Sequence, residues 1–145
     1  CIVYLTLMAY SEAAPYNKFL MLPDRPMSEQ AKRGMFLYAE RECSYCHNIM
    51  GKGGHRTGPD MSNMIKKGRS ARYLADYVKN PLKVYSSSTM PAYDLTPEQL
   101  KDLAAFLLAL DFRGAKAVEK PVSEILGTTR AGQQTGQTDA VASGS

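Results

Sequence analysis

Cys43-Ser44-Tyr45-Cys46-His47 is the stretch on which the reading of this 145-residue chain turns. Two thiols three positions apart, followed at once by an imidazole, form the attachment signature of a c-type haem. At that spacing both thiols reach the vinyl groups of one porphyrin edge, and the next residue lies beneath the iron as its proximal ligand. Two other chemistries use a Cys-x-x-Cys pair. A zinc site needs two further ligands, and only Cys1 and His55 remain, neither in a paired spacing. A redox dithiol belongs beside a strand–helix unit, and the flanking sequence shows none. One covalently bound haem c is the expectation, held by Cys43 and Cys46 and ligated by His47.

Upstream, Ser28 reads as a helix N-cap with Glu29 in the first turn. Ala31, Gly34, Met35, Tyr38 and Glu42 then recur at three- and four-residue steps, so a helix over about 28–42 runs into the motif. Downstream comes a glycine-rich loop through Gly58-Pro59, then a short helix from Met61 to Lys67 closed by Gly68. Ser70 caps a further helix with Tyr73, Leu74, Tyr77 and Val78 inward, which Asn80-Pro81 stops. Val84 to Asp94 is an irregular loop holding Met90-Pro91. Thr96-Pro97-Glu98-Gln99 is a capping-box start, and Leu100, Leu103, Leu107 and Leu110 make an apolar stripe to about Asp111.

No strand pattern or internal repeat is visible. The fold class is therefore all-α: three to four helices and long loops around one haem, with extended N- and C-terminal tails. The expected organisation is an anchor and extended segment over 1–27, a haem domain over 28–111, and a partner-bound tail over 112–145. That tail is rich in Gly, Ser, Thr and Gln beyond Gly127 and cannot build a core of its own.

The composition narrows the function classes. Three cysteines, an odd number, exclude a disulfide scaffold. No apolar run approaches the ~20 residues of a membrane-spanning helix. The net charge of +4 is spread rather than striped, which argues against nucleic acid and gives only a mild bias toward acidic partners. The 28–111 unit is poor in aliphatics, as if a porphyrin supplies part of its core.

The order of parts over 28–111 resembles the class I c-type cytochromes. The resemblance implies that the first and last helices cross near the haem, with Gly34 and Tyr38 as the small-plus-aromatic contact and Leu103 and Leu107 as its partner surface. Thr89-Met90-Pro91-Ala92-Tyr93 matches the family's methionine loop. Met90 is also far enough from His47 in sequence to reach the other haem face, whereas Met50 is too close, and Met61 and Met64 read as core packing. Gly58-Pro59 resembles the loop whose proline carbonyl orients the ligand histidine, so Pro59 is a candidate for that role, a plain turn being the alternative. Arg69 and Tyr77 occupy positions where relatives bind haem propionates, though a solvated charge and a core tyrosine remain open for them. His55 reads as a surface or backbone-bonding residue.

With His47 and Met90 both on iron there is no open position for oxygen or substrate, and the chemistry left is outer-sphere transfer of single electrons. No catalytic residue is expected. Cys1, the leftover cysteine, reads as a lipidation site, which would place the chain on the extracytoplasmic (periplasmic) face of a bacterial membrane; an arbitrary sequence start is the alternative. The segment Leu22-Pro23-Asp24-Arg25-Pro26 and Tyr93-Asp94-Leu95 resemble the mono-haem cytochrome component of alternative complex III, a bacterial quinol oxidoreductase. That resemblance implies multi-haem cytochrome and integral-membrane subunits as partners and an external electron acceptor protein. The alternatives are a free or terminal-oxidase-linked cytochrome, and a haem enzyme or gas sensor whose iron is open because Met90 does not bind.

Overall fold

The computed structural model describes residues 19–54 and 57–127; Cys1, His55 and the segment after Gly127 lie outside them. The elements follow in the order β1 (Phe19–Pro23), α1 (Glu29–Glu40), the 3-10 turn Cys43–Tyr45, α2 (Ala71–Lys79), α3 (Pro81–Val84), α4 (Pro97–Ala109) and β2 (Ala117–Pro121), and residues 122–127 after β2 are helical as well. The all-α haem fold expected from the sequence is present, with the small sheet added to it.

Helix α1 starts where the Ser28 hydroxyl accepts the Ala31 N–H at 3.1 Å. Its buried side is Ala31, Gly34, Leu37, Tyr38 and Ala39. It ends before Glu42, whose left-handed φ of 53° turns the chain into Cys43. Helix α4 opens on the expected capping box, with Thr96 and Gln99 satisfying each other's backbone N–H and Pro97 in the first turn.

Helices α1 and α4 pack at Gly34. A Cβ there would overlap the Asp102 carbonyl and lie 2.8 Å from the Phe106 Cβ, so only glycine permits the approach. One turn on, Tyr38 meets Phe106 edge-on, with ring centroids 5.3 Å apart. The partner surface thus differs from the expected one: Asp102 and Phe106 face Gly34, while Leu103 and Leu107 line the cavity described below. Asp102 is buried, and its carboxylate accepts two hydrogen bonds from Arg33, at 2.8 and 2.9 Å, which tie the two helices together.

Two local expectations are revised. Residues 62–68 form turns rather than a helix. Asn63 takes a left-handed φ of 56°, donates its N–H to Leu110 O at 2.7 Å and accepts the Phe112 N–H on Oδ1 at 2.9 Å. These bonds to the end of α4 replace the local helical ladder. Pro81 ends α2 as expected but also begins α3, because Asn80 Oδ1 accepts the Lys83 N–H at 3.2 Å and a first-turn proline needs no donor.

The expectation that the chain holds no strand is corrected. β1 and β2 pair antiparallel in the register Phe19↔Pro121, Leu20↔Lys120, Met21↔Glu119, Leu22↔Val118 and Pro23↔Ala117. Leu20 and Leu22 are buried with Phe112 and Ile125 in the same core as α1 and α4, so that core reaches beyond both ends of 28–111. Among the described residues no helix is long and apolar enough to cross a membrane.

Candidate haem site

A cavity of about 710 Å³ opens between the C-terminal half of α1, the Cys43–His47 turn, the 57–69 loop, α2, the Met90 loop and α4. Its walls are mostly apolar, including Met61, Met64, Leu74, Val78, Leu95, Leu103 and Leu107. Cys43, Cys46, His47 and Met90 all line it. A wider cleft of about 1240 Å³ lies along the outer side of α1, against Leu22, Met27, Met35 and Ile125; it holds no cysteine or histidine and takes no part in this chemistry.

The motif side is set by backbone geometry. The Cys46 and His47 N–H groups both donate to Cys43 O, at 3.2 and 3.0 Å, winding the five residues into one compact turn. Both thiols are free and half-buried. Burial pushes the Cys43 thiol up to about 12, against a weaker pull from a backbone hydrogen bond. Gly58 lies against the His47 ring, where a Cβ would overlap the imidazole, and its N–H donates to Cys46 O at 3.1 Å. His47 Nδ1 stands 2.9 Å from the Pro59 carbonyl. A carbonyl only accepts, so Nδ1 carries the proton and Nε2 keeps the lone pair a metal needs.

The loop behind His47 is braced by Asp60. Its carboxylate accepts from the N–H of Gly51 at 2.8 Å and of Ser62 at 2.7 Å. Burial raises the Asp60 pKa, but the bonds from Ser62 and Gly51 and the charge of Lys67 outweigh it and hold the carboxyl below its ordinary value. Met61 N–H donates to Asn48 O at 2.8 Å, which joins this loop to the chain just after His47.

A further part of the cavity wall is built from α2 and the methionine loop. Tyr77 donates its hydroxyl to Ser88 Oγ at 3.1 Å, and the same oxygen accepts the Met90 N–H at 3.3 Å. Tyr77 therefore lines the cavity, and its hydroxyl is engaged with the methionine loop through Ser88, a residue the sequence reading did not single out. Arg69 lines the cavity too, its guanidinium 4.5 Å from the Tyr73 ring centre. Tyr73 and Tyr77 are 5.9 Å apart by ring centroid. At the Cys43 end, burial raises the phenols of Tyr38 and Tyr93, with the neighbouring Cys43 adding to it.

These residues fit a haem. The void is apolar, two thiols sit on one side of it, an imidazole with a fixed tautomer stands beside them, and the buried Tyr38 hydroxyl has no partner in the polypeptide. A helical fold around such a cavity, with a Cys-x-x-Cys-His turn on its wall, defines a protein with one covalently attached haem c.

The chain belongs to the cytochrome c family, whose domain it matches over residues 31–111. Its role is electron transfer. It is similar to the C subunit of nitric oxide reductase from Halomonas halodenitrificans, 29% identical over 114 residues that cover 73% of this chain and 74% of that protein. It is also similar to the C subunit of nitric oxide reductase from Stutzerimonas stutzeri, 28% identical over 86 residues that cover 56% of this chain and 58% of that protein. A third relative is cytochrome c oxidase subunit 2 of Alkalihalophilus pseudofirmus, 27% identical over 95 residues; these cover 60% of this chain and only 28% of that longer protein.

Proposed function

We propose that His47 and Met90 are the two axial ligands of the haem and that the chain is a single-electron carrier within a membrane-bound redox complex. The observation that carries this reading is that the two side chains line one cavity, one from the motif turn and the other from the methionine loop. The haem iron supplies the one-electron couple. Cys43 and Cys46 fix the porphyrin edge, Pro59 holds His47 in its ligating tautomer, and Ser88 and Tyr77 tether the loop that presents Met90. Arg69 is the cation nearest in role to a propionate partner, and Tyr77 is the second candidate for it. Met90→Ala tests the ligand set: the reduced wild-type protein binds carbon monoxide slowly or not at all, and the variant binds it fast and at a lower reduction potential. Rapid binding to the wild type would instead support the open-iron reading, a haem enzyme or gas sensor.

The complex is the finer question. The likeness to proteins named as the C subunits of nitric oxide reductases supports assembly with a membrane oxidoreductase of that kind. The Leu22–Pro26 and Tyr93–Leu95 segments support the mono-haem component of alternative complex III, with multi-haem and integral-membrane partners and an external acceptor. Purifying the native complex decides between them by the subunits that accompany this chain, and recovery as a free monomer without detergent would point to a diffusing cytochrome. Lipidation of Cys1, on the periplasmic side, is read directly from the mass of the N-terminal peptide.

A further inference from the structure

The cleft along the outer side of α1 is set apart from the haem cavity: the two share no lining residue, so a haem does not cover it. Its apolar surface comes from Leu22, Met27, Met35, Phe36, Val118 and Ile125. Met27, Met35 and Phe36 are only half-buried, and Val118 is exposed. Most charges on the rim are already paired with one another: Lys32 with Glu29 at 2.6 Å, Arg33 with Asp102 at 2.8 Å and Lys120 with Glu124 at 3.1 Å. Such a cleft leaves a charged ligand little to gain and offers apolar surface to an uncharged one. At about 1240 Å³ it also exceeds the ~300–1,000 Å³ of ordinary small-molecule pockets, which suits a length of polypeptide. The two methionines can adapt their shape to what they meet.

We propose that this cleft is the docking site for residues 2–10 of the same chain. That stretch precedes the described residues, carries no charged side chain, and consists of Ile2, Val3, Leu5, Leu7, Met8 and Ala9 with Tyr4, Thr6 and Tyr10. The connection is long enough. β1 runs from Phe19 to Pro23 at the cleft, a rise of about 13 Å. Residues 11–18 span up to about 26 Å when extended, so the chain can fold back onto the cleft. A tethered segment meets its site at a high effective concentration, and modest apolar burial is then enough to fill it. The segment after Gly127 begins equally near, beside Ile125, but of residues 128–145 only Ala131, Ala140, Val141 and Ala142 are apolar, too little to cover such a surface. With residues 2–10 docked, whatever Cys1 carries is held against the α1 face of the domain rather than at the end of a long leash.

The test uses the full-length haem-loaded protein carrying Met35→Cys. Alkylation at position 35 by iodoacetamide is timed by peptide mass, once with residues 2–10 native and once with Leu5→Asp/Leu7→Asp. The expected result is alkylation about tenfold faster with the two aspartates, since the burial of a single leucine is enough to hold the cleft covered by that factor. The haem spectrum and the reduction potential should stay unchanged, because the cleft lies apart from the haem cavity. In the reverse direction, Met27→Glu/Met35→Glu is expected to speed chymotryptic cleavage after Tyr4 and Tyr10 by a similar factor. Equal alkylation rates with and without the aspartates would overturn the proposal. So would slow alkylation seen only in the purified native complex, which would put a partner subunit in the cleft, or only with phosphatidylglycerol vesicles present, which would put lipid there.

Discussion

His47 owes its usable lone pair to two neighbours that are not ligands. Gly58 leaves room for the ring, and the Pro59 carbonyl holds the proton on Nδ1 at 2.9 Å. Gly58→Ala therefore drives a methyl group into the imidazole. The expected outcome is weaker iron ligation, read as a lowered reduction potential and partial loss of the low-spin spectrum while the haem remains covalently bound. Elsewhere on the cavity wall, Tyr77→Phe removes the hydroxyl that donates to Ser88, a bond worth about 1 kcal/mol. The Met90 loop should open more often, and carbon monoxide should bind the reduced variant several-fold faster than the wild type. Asp60 gives the pH dependence. Its folded pKa is depressed, so its contribution is present above the ordinary carboxylate range and is lost as the pH falls through the folded value. Asp60→Asn should lower the urea midpoint at pH 7 and converge with the wild type as the pH falls through the depressed folded pKa of Asp60. At this scale the Cys43, Cys46 and His47 constellation was legible because its spacing is its chemistry. Ser88 was not, because a serine among Ser86, Ser87 and Ser88 gains meaning only from the two donors that meet it in space.

Helices α1 and α4 were readable from Ser28 and the Thr96–Gln99 box, since caps are local signals. Their contact was less so. The apolar stripe through Leu103 and Leu107 looks like a helix-packing surface, yet that side of α4 lines the cavity. A stripe facing a porphyrin and a stripe facing a helix have the same periodicity. The helix contact falls instead on Asp102 and Phe106, and Asp102 is a residue that pattern reading assigns to solvent. Gly34→Ala should cost about 1–3 kcal/mol as overpacking against a rigid backbone carbonyl. Because the helices that enclose the cavity would move apart, chemical denaturation should show a lower midpoint together with a disturbed haem spectrum. The 62–68 segment misled for a related reason: Asn63 exchanges hydrogen bonds with Leu110 and Phe112, far along the chain, and long-range partners leave no trace in a local window.

For the molecule as a whole, the sheet is what sequence alone did not disclose. β1 and β2 are separated by the entire helical domain, each ends in proline, and β2 is largely exposed, so neither shows an alternating pattern. Their pairing nevertheless buries Leu20, at 1% exposure, in the common core. Leu20→Ala should destabilise the holoprotein by about 2–5 kcal/mol, measured by urea unfolding, and a protein trimmed to 28–111 should be less stable than one spanning 19–127. The same pairing sets Phe19 beside Pro121, so the two strands that flank the helical domain lie side by side at one edge, before the chain runs on to Ile125 in the core. A unit whose flanking strands lie side by side behaves as a cassette: it is suited to insertion into a surface loop of another protein, or to rejoining its ends and opening elsewhere, without rerouting the polypeptide around the haem pocket.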